Sequence, residues 1–80
     1  MPPAMALYFF HIRKEGVRIP DDEGVDLRDL CAARNELLAS AQDLVAADMR
    51  AGLGVTDDSI EMEDAFGRLI ETMPIRRLLH

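Results

Sequence analysis

The sequence predicts a small α+β domain in which one long amphipathic helix packs on a short antiparallel sheet. The expected order is ββαββ with a short helical C-terminal tail. Three observations predict it. Apolar residues recur at helical spacing through the middle third of the chain. Before them lie two segments rich in aromatic and β-branched residues, joined by Lys14-Glu15-Gly16. After them Ile60 and Met62 alternate with Ser59, Glu61 and Glu63, the period of a strand with one wet face.

Residues 1–6 contain Pro2-Pro3, which suits a frayed tail, so a single domain is expected over 7–80. Leu7 to Arg13 reads as the opening strand. Tyr8, Phe10 and Ile12 fall on one of its faces, Leu7 and Phe9 on the other. A strand apolar on both sides belongs in the middle of a covered sheet. One helix covers only one face, so the other needs a second cover. Gly16 suits a turn, and Val17-Arg18-Ile19 returns until Pro20 stops it.

Residues 20–26 form an acidic connection. Asp26 is placed as the helix N-cap, with Asp29 three residues on in the manner of a capping box. The helix then runs from about Leu27 to Arg50. Leu30, Ala33, Leu37, Ala41 and Leu44 share a face that Leu38, Val45 and Met49 widen. Gly52 or Gly54 closes it. A helix of about 24 residues spans roughly 36 Å, whereas a seven-residue strand spans about 23 Å. The helix should overhang the sheet and leave Leu53 and Val55 free for a neighbour. Asp64-Ala65-Phe66-Gly67 makes the second turn and Arg68 to Met73 its return strand. Pro74 ends that strand and opens a final helical turn through Ile75, Leu78 and Leu79.

Composition narrows the function. Eighty residues make one domain, burying roughly 60–65% of what the unfolded chain exposes. Cys31 is the single cysteine, so no intramolecular disulfide forms, and no Cys/His spacing suggests zinc. Oligomerisation is the remaining support for so small a core. The longest early apolar run, Ala4 to Phe10, is too short to span a bilayer and has no basic head before it. A cytoplasmic location is expected. Fifteen acidic against nine basic residues give a net charge of −6, which repels a phosphate backbone. Arg76-Arg77 reads as a solvated helix end.

The assembled pattern resembles a family of short, uncharacterised bacterial proteins, common in alphaproteobacteria and known only as a domain of unknown function. The residues that carry the resemblance are Tyr8-Phe9-Phe10-His11, Pro20-Asp21-Asp22-Glu23-Gly24, and Asp29-Leu30 followed by Ala32-Ala33-Arg34. Ile60-Glu61, Asp64, Gly67-Arg68 and Pro74 continue it through the last hairpin. The chain departs from the pattern at Glu15-Gly16, where Asp-Gly is usual, and at Ile75, where an aromatic is. The resemblance implies a fold and no activity.

The candidate residues have plain readings. His11 titrates near neutrality, but its strand neighbours are apolar or basic and no nucleophile motif accompanies it; a hydrogen-bonded sheet histidine is expected. His80 is the last residue. Asp21, Glu23 and Asp64 are the weak candidates for a hard cation such as Ca²⁺ or Mg²⁺, if loop and turn meet. Solvation and helix capping are the expected roles, so no metal, cofactor or catalytic residue is assigned. Cys31 is expected to be a small buried apolar residue. Tyr8, Phe9, Phe10 and Phe66 suit core and interface better than base stacking. The resulting expectation is a non-enzymatic, self-associating interaction module, a homodimer joined through Leu7, Phe9, Leu53 and Val55. The alternative is a small regulatory or stress-accessory protein whose acidic loop meets a heterologous basic partner. An enzyme or metal-dependent protein using the loop and His11 ranks last.

Overall fold

The rest of the chain is laid around β1 (Ala6–Lys14) in the computed structural model, which describes residues 5–53 and 56–79. The C-terminal half of β1 pairs antiparallel with β2 (Val17–Ile19), Ile12 opposite Ile19 and Lys14 opposite Val17. The connection needs only two residues because Glu15 and Gly16 both take positive φ, 52° and 78°. That geometry follows the natural twist of paired strands. On the same edge, the N-terminal half of β1 pairs with β3 (Val25–Leu27), Tyr8 opposite Val25 and Ala6 opposite Leu27. The other edge is filled by β4 (Ser59–Asp64), in register from Tyr8–Asp64 to Arg13–Ser59. β5 (Leu69–Pro74) pairs with β4, so the sheet reads β2-β1-β4-β5 with β3 beside β1. The opening strand is central, as its two apolar faces predict.

β3 adds a third strand before the helix and moves the helix start. The segment expected to hold the N-cap is extended instead, because Val25 and Leu27 continue the sheet on the helix side. Asp29, not Asp26, is the N-cap: its φ of −161° is extended and its carboxylate accepts the Ala32 amide. The helix α1 covers Leu30–Arg50. It ends in a Schellman motif, the Gly52 amide bonding the Met49 carbonyl and the Leu53 amide the Asp48 carbonyl, both at 3.0 Å. Gly52 adopts φ 76°, a left-handed conformation that costs glycine nothing.

Ala33, Leu37 and Ala41 form the buried stripe of α1 and meet Phe10, Ile60, Met62 and Ile75. Tyr8, Ile12, Leu44 and Val45 pack at the margin. The set Tyr8, Phe10 and Ile12 therefore faces the helix. Three residues expected to widen or open the stripe, Leu30, Leu38 and Met49, are exposed. Cys31 is exposed too, against the expectation of burial, because it lies two positions before the buried Ala33 and so off the packed stripe. Residues Ile75–Leu79 form a 3-10 turn whose Ile75 is buried and donates its amide to the Asp58 carbonyl at 3.0 Å. Among the described residues no helix is long and apolar enough to cross a membrane.

Candidate functional site

On the sheet face away from α1, strand alternation brings Leu7, Phe9, His11 and Arg13 of β1 beside Glu61 and Glu63 of β4. Arg18 reaches the same face from β2, opposite Arg13. His11 is 6% exposed and stacks on Phe9, ring centroids 6.1 Å apart. Both of its nitrogens are engaged. The Asp21 amide donates to Nδ1 at 2.9 Å, and Nε2 lies 3.1 Å from Glu63 Oε1. A backbone amide can only donate, so Nδ1 is an acceptor and the proton of the neutral ring sits on Nε2, donated to Glu63. The Arg18 Nη2 contacts the other oxygen of Glu63 at 2.6 Å, and Arg13 Nε contacts Glu61 at 3.1 Å. Partial burial pushes the Glu63 carboxyl up, but the bonds from His11 and Arg18 outweigh it and hold the group below its ordinary range.

Asp21 explains the acidic loop. β2 and β3 leave a gap along the β1 edge, and the loop between them folds into it. Asp21 Oδ2 accepts the Phe10 amide at 3.1 Å, while Oδ1 accepts Gly24 at 3.1 Å and Glu23 at 3.3 Å. One carboxylate thus stands in for the missing strand and closes an Asx-type turn at once. Burial raises its pKa, and those three amide donors more than reverse the effect, so the group titrates below its usual range. Gly24 has φ 72°, and a β-carbon there would come within 3.0 Å of Leu7, Phe9 and the Tyr8 carbonyl. The loop is therefore the second cover that β1 requires. Leu7 and Phe9 lie on the face opposite the helix, half-buried beneath the loop.

Two of the cation candidates, Asp21 and Asp64, are engaged within the fold, and the third, Glu23, is exposed. Asp21 and Asp64 flank a hollow of about 300 Å³ that also includes His11 and Glu63, whereas Glu23 does not line it. Asp64 is held low first by the Arg68 amide, and it accepts the Phe66 amide and the Arg68 side chain as well, the last at 2.7 Å. Among the described residues no group of three or more His, Cys, Asp or Glu is placed to hold a metal ion.

A second polar cluster was not visible in the sequence. Lys14 Nζ bonds Asp48 at 2.8 Å and Asp58 at 2.9 Å, and the two aspartates are 3% and 1% exposed. The hydrogen bond to Asp48, then that to Asp58, raises the lysine pKa strongly. Burial pushes the Asp58 carboxyl up, and the bond from Lys14 carries it below its ordinary range. The cluster ties the end of β1 to the end of α1 and to the segment entering β4. Leu53, expected at the overhang, is exposed beside it, and Val55 lies outside the described residues.

A family model described as a domain of unknown function (DUF6894) matches residues 7–76. The chain belongs to this family. No curated protein and no solved structure matches it. The match runs from the first residue of the predicted opening strand into the 3-10 turn, so the DUF6894 unit includes β1, the Asp21 loop, α1 and both hairpins.

The remaining surface feature of this DUF6894 chain is the far hairpin. Phe66 at its tip is 83% exposed with Arg68 over its ring, and Leu69 is 57% exposed. Ala6, Leu7, Leu30, Phe66 and Ile70 line a mainly apolar hollow at this end. β5 also forms the outer edge of the sheet. The Ile75 amide points to Asp58 of the β4 side, and amide direction alternates along a strand. Met73 therefore faces β4, and Thr72 and Pro74 direct their backbone groups outward. Pro74, which has no N–H, occupies a position where none is needed. The tip was legible as a turn, but its exposure follows only from the strand order.

Proposed function

We propose that this chain is a non-enzymatic, cytoplasmic interaction module that pairs with a second copy of itself along β5. The observation that supports it is an unpaired, apolar strand edge next to an exposed aromatic. Such an edge is a template for another strand. Within β5, Thr72 is the position where a two-fold pairing suits the backbone. Its N–H and C=O both point outward, Pro74 lacks a donor, and Ile70 is the extra residue of a bulge at Met62/Glu63. A two-fold axis at Thr72 also sets Glu71 opposite Met73 of the other copy, avoiding a like-charge pair. The neighbouring charges are already paired, Arg34 with Glu71 at 3.1 Å and Arg68 with Asp64 at 2.7 Å, so the net negative charge of the chain is little felt at this edge. Two copies would then share one continuous sheet, each hairpin tip beside the other's C-terminal turn.

Light scattering and sedimentation at tens of micromolar test the reading. The wild type is expected to be a dimer. Thr72→Pro removes the outward donor while leaving the bonds to β4, and Phe66→Glu charges the tip; both should give folded monomers. A monomeric wild type, or a Thr72→Pro variant that still dimerises, would refute pairing along β5. The second of these outcomes would return the interface to the Leu7 and Phe9 face.

A further inference from the structure

We propose that His11 is an acid-sensitive latch for the 20–24 loop, and that protonating its ring breaks one of the loop's two ties to β1 and loosens its cover over Leu7 and Phe9. The geometry sets this up. His11 Nδ1 accepts the Asp21 amide at 2.9 Å, and Nε2 is committed to Glu63 at 3.1 Å. A second proton has one place to go, Nδ1. Once there, it faces the Asp21 N–H, donor against donor, and that bond is lost. The other tie at this end is the Asp21 carboxylate, which holds the Phe10 amide of β1 and the Glu23 and Gly24 amides of the loop, while Pro20, Asp22 and Glu23 are exposed. Gly24 rests on Leu7 and Phe9, so movement of the loop exposes both side chains.

The charges around His11 act in both directions. Glu63 and Glu61 face it from β4, Arg18 from β2 and Arg13 along β1, while Asp21 and Asp22 in the loop and Asp64 at the end of β4 border the same hollow. Glu63 accepts the Nε2 proton whether or not the ring carries a second one. Its bond to Nε2 keeps the ring in place as the loop leaves. The change therefore belongs to the loop and not to the whole domain.

Amide exchange followed by NMR between about pH 8 and about pH 5, the range in which histidines change charge, tests the latch in the intact chain. On acidification the Asp21 amide should lose about three- to tenfold in protection after correction for intrinsic exchange, as expected for one hydrogen bond. The β1–β4 amides and the far-UV circular dichroism should be unchanged, and an apolar dye should begin to bind. His11→Asn keeps an acceptor oxygen near the Nδ1 position and does not titrate, so its loop should stay closed throughout. His11→Phe, with no acceptor, should leave the loop loose at every pH. Unchanged Asp21 protection in the wild type at about pH 5 would overturn the proposal. So would an equal acid response in His11→Asn, which would pass the effect to the carboxylates.

Discussion

Asp21→Ala tests directly whether a side chain completes the β1 edge. The Phe10 amide lies where neither β2 nor β3 reaches, Phe10 is buried, and Asp21 Oδ2 is its partner at 3.1 Å. Removing the carboxylate strands a buried N–H, which costs about 1–3 kcal/mol. The Glu23 and Gly24 amides are nearer the surface and turn to water at little cost. The expected loss is therefore about 2 kcal/mol, and a domain of this size loses roughly 4–8 °C per kcal/mol. Asp21→Asn keeps one carbonyl oxygen and can hold the Phe10 amide or the Gly24 amide, not both, so about half that loss is expected. Asp22→Asn, in an exposed position, should change stability by less than about 0.5 kcal/mol. The pH dependence has a definite sign. The Asp21 carboxyl titrates lower when folded than its ordinary 3.8, so its contribution is present above that value and disappears as pH falls through the folded one. Asp21→Ala should flatten the acid end of the stability profile. Urea unfolding at neutral and acid pH measures both effects. An Asp21→Ala protein within about 0.5 kcal/mol of wild type at neutral pH would refute the idea that the carboxylate replaces a strand.

Two further substitutions check the frame. Leu37 is fully buried at the centre of the α1 stripe, and Leu37→Ala should cost about 3 kcal/mol by lost burial and the cavity left behind, seen as a large fall in melting temperature. Asp29→Ala removes the side-chain cap on the Ala32 amide and should cost about 1 kcal/mol, whereas Asp26→Ala should be nearly neutral; thermal melts that reverse this order would return the helix start to Asp26.

How much of this was legible depended on how local the signal was. Glu15-Gly16 and the alternation through Ile60 and Met62 place both hairpins, and Ala33, Leu37 and Ala41 show the packed face of the helix. β3 was missed because three residues, Val25, Asp26 and Leu27, are too few for a period to show, and Asp26 and Asp29 offer competing caps. Asp21 has a local signature, an aspartate with glycine three residues later, but its bond to Phe10 depends on the gap between two strands. The Lys14, Asp48 and Asp58 cluster joins residues 34 and 44 positions apart. No sequence period links them, so only the folded chain brings them together.

The central position of β1 also sets the order in which the protein is assembled during synthesis. One edge of β1 is satisfied by near neighbours, β2 and β3, which emerge within a few residues of it. The other waits for β4, whose last residue is Asp64. At about 5–20 residues per second, translating the stretch from Lys14 to Asp64 takes about 3–10 seconds. Through that interval Phe10 and its neighbours are without their β4 partners, and contacts this distant in sequence form late. The growing chain thus carries a half-paired apolar strand for seconds. Anything that slows translation between Lys14 and Ser59 lengthens the time for which a ribosome-bound chaperone, or a second nascent chain, has access to it.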